Sequence, residues 1–362
     1  MKRPFYLFTP GKLHRKDDTL RFNPYLDPDP EKQRKAFESE AEELLLAGMD
    51  SDLETGDYGA PRVIPVESVD SLYVFGEITF NTTFFNFLNS RNIPMHVFNY
   101  YGFYSGSWYP KEYLNSGFLL IQQAEHYRNP KKRMVIARAF IDAAAANMVK
   151  NLRYYQNRDT DVQAEIDTIE NLVPGIAAAT KVDELMGVEG NIRQVYYAAF
   201  PKILKERYDF DKRVKNPPDN AVNALMSFAN ALVYTACLSE IYRTQLSPLI
   251  SFLHEPGERR YSLALDLAEI FKPMFADRLL FAVLNKQMIQ PDDFDQQMNY
   301  CYLKEKGRKT VVQLFEEKMT ATFQHRKLKR NVSYRRLIRL ECYKLIKHIT
   351  GAEEYEPFKA WW

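Results

Sequence analysis

The stretch NIPMHVFNYYGFYSGSWYPKEYLNSGFLLIQQAEHY, residues 92–127, changes character half-way along, and that change decides the fold. Its first half is rich in aromatic and β-branched residues broken by Gly and Asn, the texture of short strands joined by turns. From Leu119 onward it becomes an uninterrupted run of helix formers. Upstream, FYLF, LRF, VIPV, SLYVF and EITF repeat the strand-like texture, and Phe84, Phe85 and Leu88 recur at helical spacing, which predicts a short helix over residues 82–90. Downstream, RMVIARAFIDAAAANMVKNLRYY, DVQAEIDTIENLV and NAVNALMSFANALVYTACLSEIY are long amphipathic patterns. The chain therefore reads as α+β, with a small N-terminal β-rich domain over residues 1–107, a junction at 108–122 and a larger all-helical domain over 123–362.

One segment interrupts the β region. PDPEKQRKAFESEAEELLLAG has a Pro start, helix formers and a Gly stop, and it lies in an acidic insertion spanning residues 27–62. Its charge has the wrong sign for a polyanion, so it reads as a solvated loop with one helix.

At 362 residues and 46% hydrophobic content, the chain can bury a large core. Three cysteines, Cys237, Cys301 and Cys342, are far apart and odd in number, which argues against a disulfide framework and fits a reducing cytoplasm. The N-terminus lacks an export signal, and no segment approaches eighteen uninterrupted apolar residues, so no membrane is expected. The net charge is only +2, but residues 326–347, RKLKRNVSYRRLIRLECYKLIK, hold nine Lys/Arg against one acid. That segment reads as a helix with Val332, Leu337, Leu340 and Leu345 for packing. Its cations, Lys327, Lys329 and Arg330 among them, are left for a partner.

Chemistry concentrates in SFLHEPGERRYSLALDLAEIFKP, residues 251–273. Asp266 and Glu269 are three apart on a helix and project from the same face, at the edge of a core stripe made by Leu263, Leu267 and Ile270. A Pro-Gly turn can fold His254 back over the start of that helix. Glu189, heading a helix with Arg193, Gln194 and Tyr197, adds a third carboxylate. One histidine with two or three carboxylates is an oxygen-rich set suited to Mg²⁺ or Mn²⁺ and unlike a thiolate zinc site. Arg259, Arg260, Lys272 and Arg278 would supply cations to a phosphodiester backbone. A GK[ST] phosphate loop, a GxSxG elbow and HExxH are all missing, which turns the reading away from nucleotide hydrolysis and serine chemistry.

In order along the chain, DSLYVFGEITFN, NIPMHVFNYYGFYSGSWYP, EYLNSGFLLIQQAEHY, VEGNIRQVYYAAF, NPPDNAVNALMSFANALVY, the His254 segment and NVSYRRLIRLECYKLIKHI resemble the CRISPR-associated adaptation integrases, the metal-dependent DNA endonucleases called Cas1. The resemblance implies a β-rich domain that forms a homodimer and a helical catalytic domain. It also implies a small Cas2 protein bridging two dimers, in a prokaryotic cytoplasm. The implied activity is capture of a short double-stranded DNA fragment and its insertion beside a CRISPR repeat by strand transfer. The implied metal ligands fall on Glu189, His254 and Glu269, with Asp266 the further carboxylate of the motif. Some members carry Asp where this chain has Glu269. Two rival readings stand beside it: a structure-selective nuclease for branched DNA, and a non-catalytic DNA-binding scaffold.

Overall fold

The computed structural model describes residues 2–26, 58–111, 114–204, 208, 210–215, 217–257, 261–297 and 300–361. The expected insertion helix, at residues 28–48, lies outside them, as do Arg259 and Arg260. Two compact units result, Met1–Glu112 and Tyr113–Trp362.

The first unit carries two four-stranded sheets. Strands β1 (Arg3–Leu7), β5 (Val69–Val74), β7 (Met95–Phe98) and β8 (Tyr104–Trp108) form one, in that order; β4 (Arg62–Pro65), β3 (Thr19–Pro24), β2 (Gly11–Lys16) and β6 (Ile78–Thr79) form the other. Helix α1 (Thr82–Arg91) begins where the Asn81 side chain accepts a hydrogen bond from the Phe84 amide at 2.9 Å, and it ends at Asn92 in the left-handed region. Its Phe84, Phe87 and Leu88 join Leu13, Leu20, Phe22, Leu72 and Met95 in one core. The sequence texture passes over strand β2, GKLHRK, because its cations hide the alternation. Leu13 is nevertheless fully buried, while Arg15 and Lys16 stay in solvent.

The second unit is mostly helical: α2 (Gly117–Arg128), α3 (Pro130–Gln156), α4 (Gln163–Leu172), α5 (Val182–Ala198), α6 (Ala221–Tyr242), α7 (Ser262–Lys272), α8 (Arg278–Asn285), α9 (Glu305–Thr320) and α10 (Tyr334–Ile349). Helix α6 is apolar on every side, and its residues from Val222 to Ile241 are mainly buried among α7, α8 and α10. It is the one described helix long and apolar enough to cross a membrane, but 72% of its apolar window is buried inside the unit, which makes it the core helix.

Two hairpins correct the expectation of an all-helical second domain: β9 (Phe294–Gln297) with β10 (Tyr300–Leu303), and β11 (Thr322–Gln324) with β12 (Asn331–Ser333). In β10 the period is two, burying Cys301 and Leu303 and leaving Tyr300 and Tyr302 half-exposed. The second hairpin also corrects the single helix expected over 326–347. Asn331–Ser333 pair as a strand, Ser333 caps the Arg336 amide at 3.2 Å, and the helix starts only at Tyr334. Lys327, Lys329 and Arg330 therefore sit in a hairpin loop, with Lys329 at φ +52°.

Between α7 and α8 the chain widens into a π turn, Pro273–Asp277. Pro273 has no amide hydrogen and breaks the α ladder. Two buried asparagines of α3 supply donors: Asn147 Nδ2 reaches Ile270 O at 2.9 Å, and Asn151 Nδ2 reaches Pro273 O at 2.5 Å. Helix α7, with its carboxylates, is thus pinned along α3.

Candidate active site

The loop before α7 is held from beneath. Gln123 of α2 donates to Ser247 O and Ile250 O at 2.9 and 2.7 Å and accepts from the Ser247 amide at 3.0 Å. Arg133 of α3 donates to Phe252 O at 2.7 Å and pairs with Glu255 at 2.6 Å. On this fixed loop three successive amides point at one carboxylate. Phe252 and Leu253 donate to Asp266 Oδ2 at 2.6 and 2.9 Å, and His254 donates to Oδ1 at 3.0 Å. The same Oδ1 lies 2.8 Å from His254 Nδ1.

Asp266 is fully buried, and both its oxygens are occupied by these four donors. These bonds tie the His254 loop and its imidazole to α7. Because Oδ1 accepts from Nδ1, the neutral imidazole is held in the tautomer whose Nε2 lone pair can act as a ligand or base.

Glu189 lies midway along α5 and not at its head as expected, because the helix already starts at Val182; it and Glu269 of α7 are brought together by a third side chain. Arg193, one turn after Glu189 on the same helix face, gives Nε to Glu189 Oε1 and Nη2 to Glu269 Oε2. Lys272, one turn after Glu269, donates to its other oxygen at 2.7 Å. Burial pushes the Glu269 carboxyl up, but Arg193, Lys272 and His254 outweigh it and hold the group at about 2. Glu269 therefore remains an anion in a nearly dry setting, and His254 is near enough to contribute to its field.

Among the described residues no three His, Cys, Asp or Glu side chains are gathered closely enough to enclose an ion. The guanidinium of Arg193 fills the gap between the two glutamates. The donor set still fits a hard divalent cation: two carboxylates already converge on one positive centre, beside an imidazole whose orientation a buried carboxylate fixes.

Sequence reading passed over Asp277. It ends the π turn and is buried, and burial raises its carboxyl to about 7 against the lowering influence of Arg193, a hydrogen bond with Tyr196, Lys272 and Arg213. Arg193 itself was legible as the i+4 partner of Glu189. Asp277 carried no signal, because its position depends on Pro273 and on asparagines some 120 residues earlier in the chain.

The expected phosphate contacts scatter. Lys272 is paired with Glu269. Arg278 opens α8 and stacks on Tyr154, with 5.0 Å from its guanidinium carbon to the ring centre. Lys327 is exposed and bonded to Glu356, while Lys329 and Arg330 are exposed on the hairpin.

The chain as a whole is similar to known proteins. Residues 5–317 match the family model described as CRISPR associated protein Cas1. The chain is 45% identical to the CRISPR-associated endonuclease Cas1 3 of Thermodesulfovibrio yellowstonii over 360 residues, covering 99% of this chain and 100% of that one. Among solved structures, a CAS1 protein from Thermotoga maritima superposes with TM-score 0.80 at 36% identity, covering 99% and 100% of the two chains. A Cas6-RT-Cas1–Cas2 complex contains a chain sharing the fold, with TM-score 0.78 at 17% identity, over 99% of this chain and 36% of that one.

Proposed function

The chain belongs to the Cas1 family, and from that premise we propose that it is the metal-dependent DNA endonuclease and integrase of CRISPR adaptation, joining short DNA fragments to a CRISPR array by strand transfer. The observation that carries this reading is the convergence of Glu189 and Glu269 on one cationic centre beside a histidine oriented by Asp266. A DNA-binding scaffold would need the fold and its cations but no such arrangement. The name endonuclease on a relative of 45% identity favours the enzyme.

Glu189, Glu269 and His254 Nε2 would hold Mg²⁺ or Mn²⁺, which when bound activates a hydroxyl and stabilises phosphate oxyanions. The Asp266 contact fixes the imidazole of His254 through Nδ1, so that Nε2 is the ring nitrogen left to face the ion. Lys272 keeps Glu269 ionised, and Arg193, once released from the carboxylates, is a bidentate donor of the right shape for phosphate oxygens. We also propose a homodimer formed through residues 1–107, where Tyr100 and Tyr101 leave aromatic surface exposed. Cas2 bridges two such dimers, and the assembly works in the cytoplasm on double-stranded fragments and repeat DNA.

The test is to incubate the purified protein with a labelled fragment and an array plasmid, with and without Cas2, in Mg²⁺ or Mn²⁺. Covalent joining of label to the plasmid, abolished by EDTA, is expected. Cleavage of branched DNA without any joining would return the rival nuclease reading.

A further inference from the structure

Away from the carboxylate centre, three cations of the second unit stand over tyrosine rings. Arg278, the first residue of α8, stacks on Tyr154 at 5.0 Å, and Lys318 of α9 stands over the Tyr334 ring at 4.0 Å. Arg158, just past the end of α3, lies against the same Tyr154 ring at 3.7 Å. Among the described residues, none of these three cations is ion-paired to a carboxylate.

The three form one electrostatic neighbourhood. Burial, together with Arg278, pulls the Lys318 ammonium down to about 8. Burial raises the Tyr155 phenol to about 12, and both Arg278 and Arg158 pull against that rise. Like charges held close without a counter-charge repel each other, and partial burial strengthens the repulsion. The tyrosine rings orient the cations without neutralising them. An anion entering between them would relieve that repulsion.

We infer that Arg278 and Lys318, flanked by Arg158 and backed by Tyr154 and Tyr334, form a phosphate-binding subsite for the backbone of bound DNA. A phosphodiester suits it because guanidinium and ammonium together offer a fork and a point donor to two non-bridging oxygens. The subsite lies on the same helical run as Glu269. Nine residues separate Glu269 from Arg278, roughly 13 Å of rise along the axis at helical spacing. The inference rests on DNA being the substrate, but not on the metal ligands.

Binding of a fluorescein-labelled duplex with a single-stranded 3′ end, followed by anisotropy in EDTA, tests it without the ion. The variant Arg278→Gln/Lys318→Met keeps the side-chain stems over the rings, and thermal unfolding checks its fold. Its affinity should fall by about tenfold, with a shallower dependence on salt. A second arm places one neutral methylphosphonate linkage at each backbone position in turn. Wild-type protein should lose affinity sharply at one or two adjacent linkages, and the variant should be indifferent at those same linkages. Unchanged affinity in the folded variant, or equal sensitivity of both proteins to every linkage, would overturn the subsite. If neither protein binds the DNA, the DNA reading itself fails, and the subsite falls with it. Strand transfer retained by Glu189→Gln would strike the metal site alone.

Discussion

Replacing Asp266 with Asn tests the frame around His254 most sharply. Asp266 accepts from Phe252 and Leu253 through Oδ2, and from the His254 amide and imidazole through Oδ1. An Asn side chain has one acceptor oxygen and one donor NH₂, so it can satisfy only one of these pairs. If its oxygen faces Phe252 and Leu253, its NH₂ confronts the His254 amide and forces Nδ1 to accept, which moves the imidazole proton to Nε2. If it turns over, two buried amides lose their acceptor. Two hydrogen bonds to a buried charge at about 1.5–3 kcal/mol each give a loss of roughly 3–6 kcal/mol. Urea unfolding measures that loss, and nitrogen-15 NMR of the imidazole reports the tautomer. A variant within ~0.5 kcal/mol of wild type, with the proton still on Nδ1, would refute the role assigned to Asp266.

Arg193→Gln should tighten Mn²⁺ binding, read by isothermal titration, by about tenfold because it removes the cation that occupies the two glutamates; equal or weaker binding would show that the guanidinium does not compete. Asp277→Asn should change the pH profile of stability. With a native value of about 7 against an ordinary 3.8, the folded state holds the proton more tightly, so wild type loses stability as pH rises from about 4 to 7, and the variant should lose none of it. The difference in unfolding free energy at pH 8 approaches roughly 4 kcal/mol at most, and parallel profiles would sink the assignment. Neutralising Lys327, Lys329 and Arg330 together should reduce the slope of log affinity against log salt by about two, because Lys327 is already engaged by Glu356; an unchanged slope would make the hairpin a solvated surface.

What the sequence disclosed was whatever local spacing encodes. The three-residue step from Asp266 to Glu269 and the turn after His254 were readable because helix periodicity alone puts those groups near one another. The strands around Leu72 and Met95 were readable from their apolar content. Strand β2 was not, since Lys12, His14, Arg15 and Lys16 mask the alternation that buries Leu13. Nor was the start of α10, where a basic run continuous in composition is cut by a strand and a serine cap. The role of Asp266 depended on amides of a loop fixed by Gln123 and Arg133, and the position of Asp277 on Asn147 and Asn151. Both are long-range arrangements that no window of sequence contains.

On the function proposed above, Glu189, His254 and Glu269 act as one centre for the chemistry and not for holding DNA. Glu189→Gln removes a charged oxygen while keeping nearly the same volume. Strand transfer, DNA affinity and thermal unfolding should therefore be measured on the same preparation of that variant. Metal-dependent joining should collapse with DNA affinity and unfolding temperature retained, and adding His254→Ala or Glu269→Gln should cause no further loss. Folded Glu189→Gln protein that still joins fragments at the wild-type rate in Mg²⁺ or Mn²⁺ would contradict it.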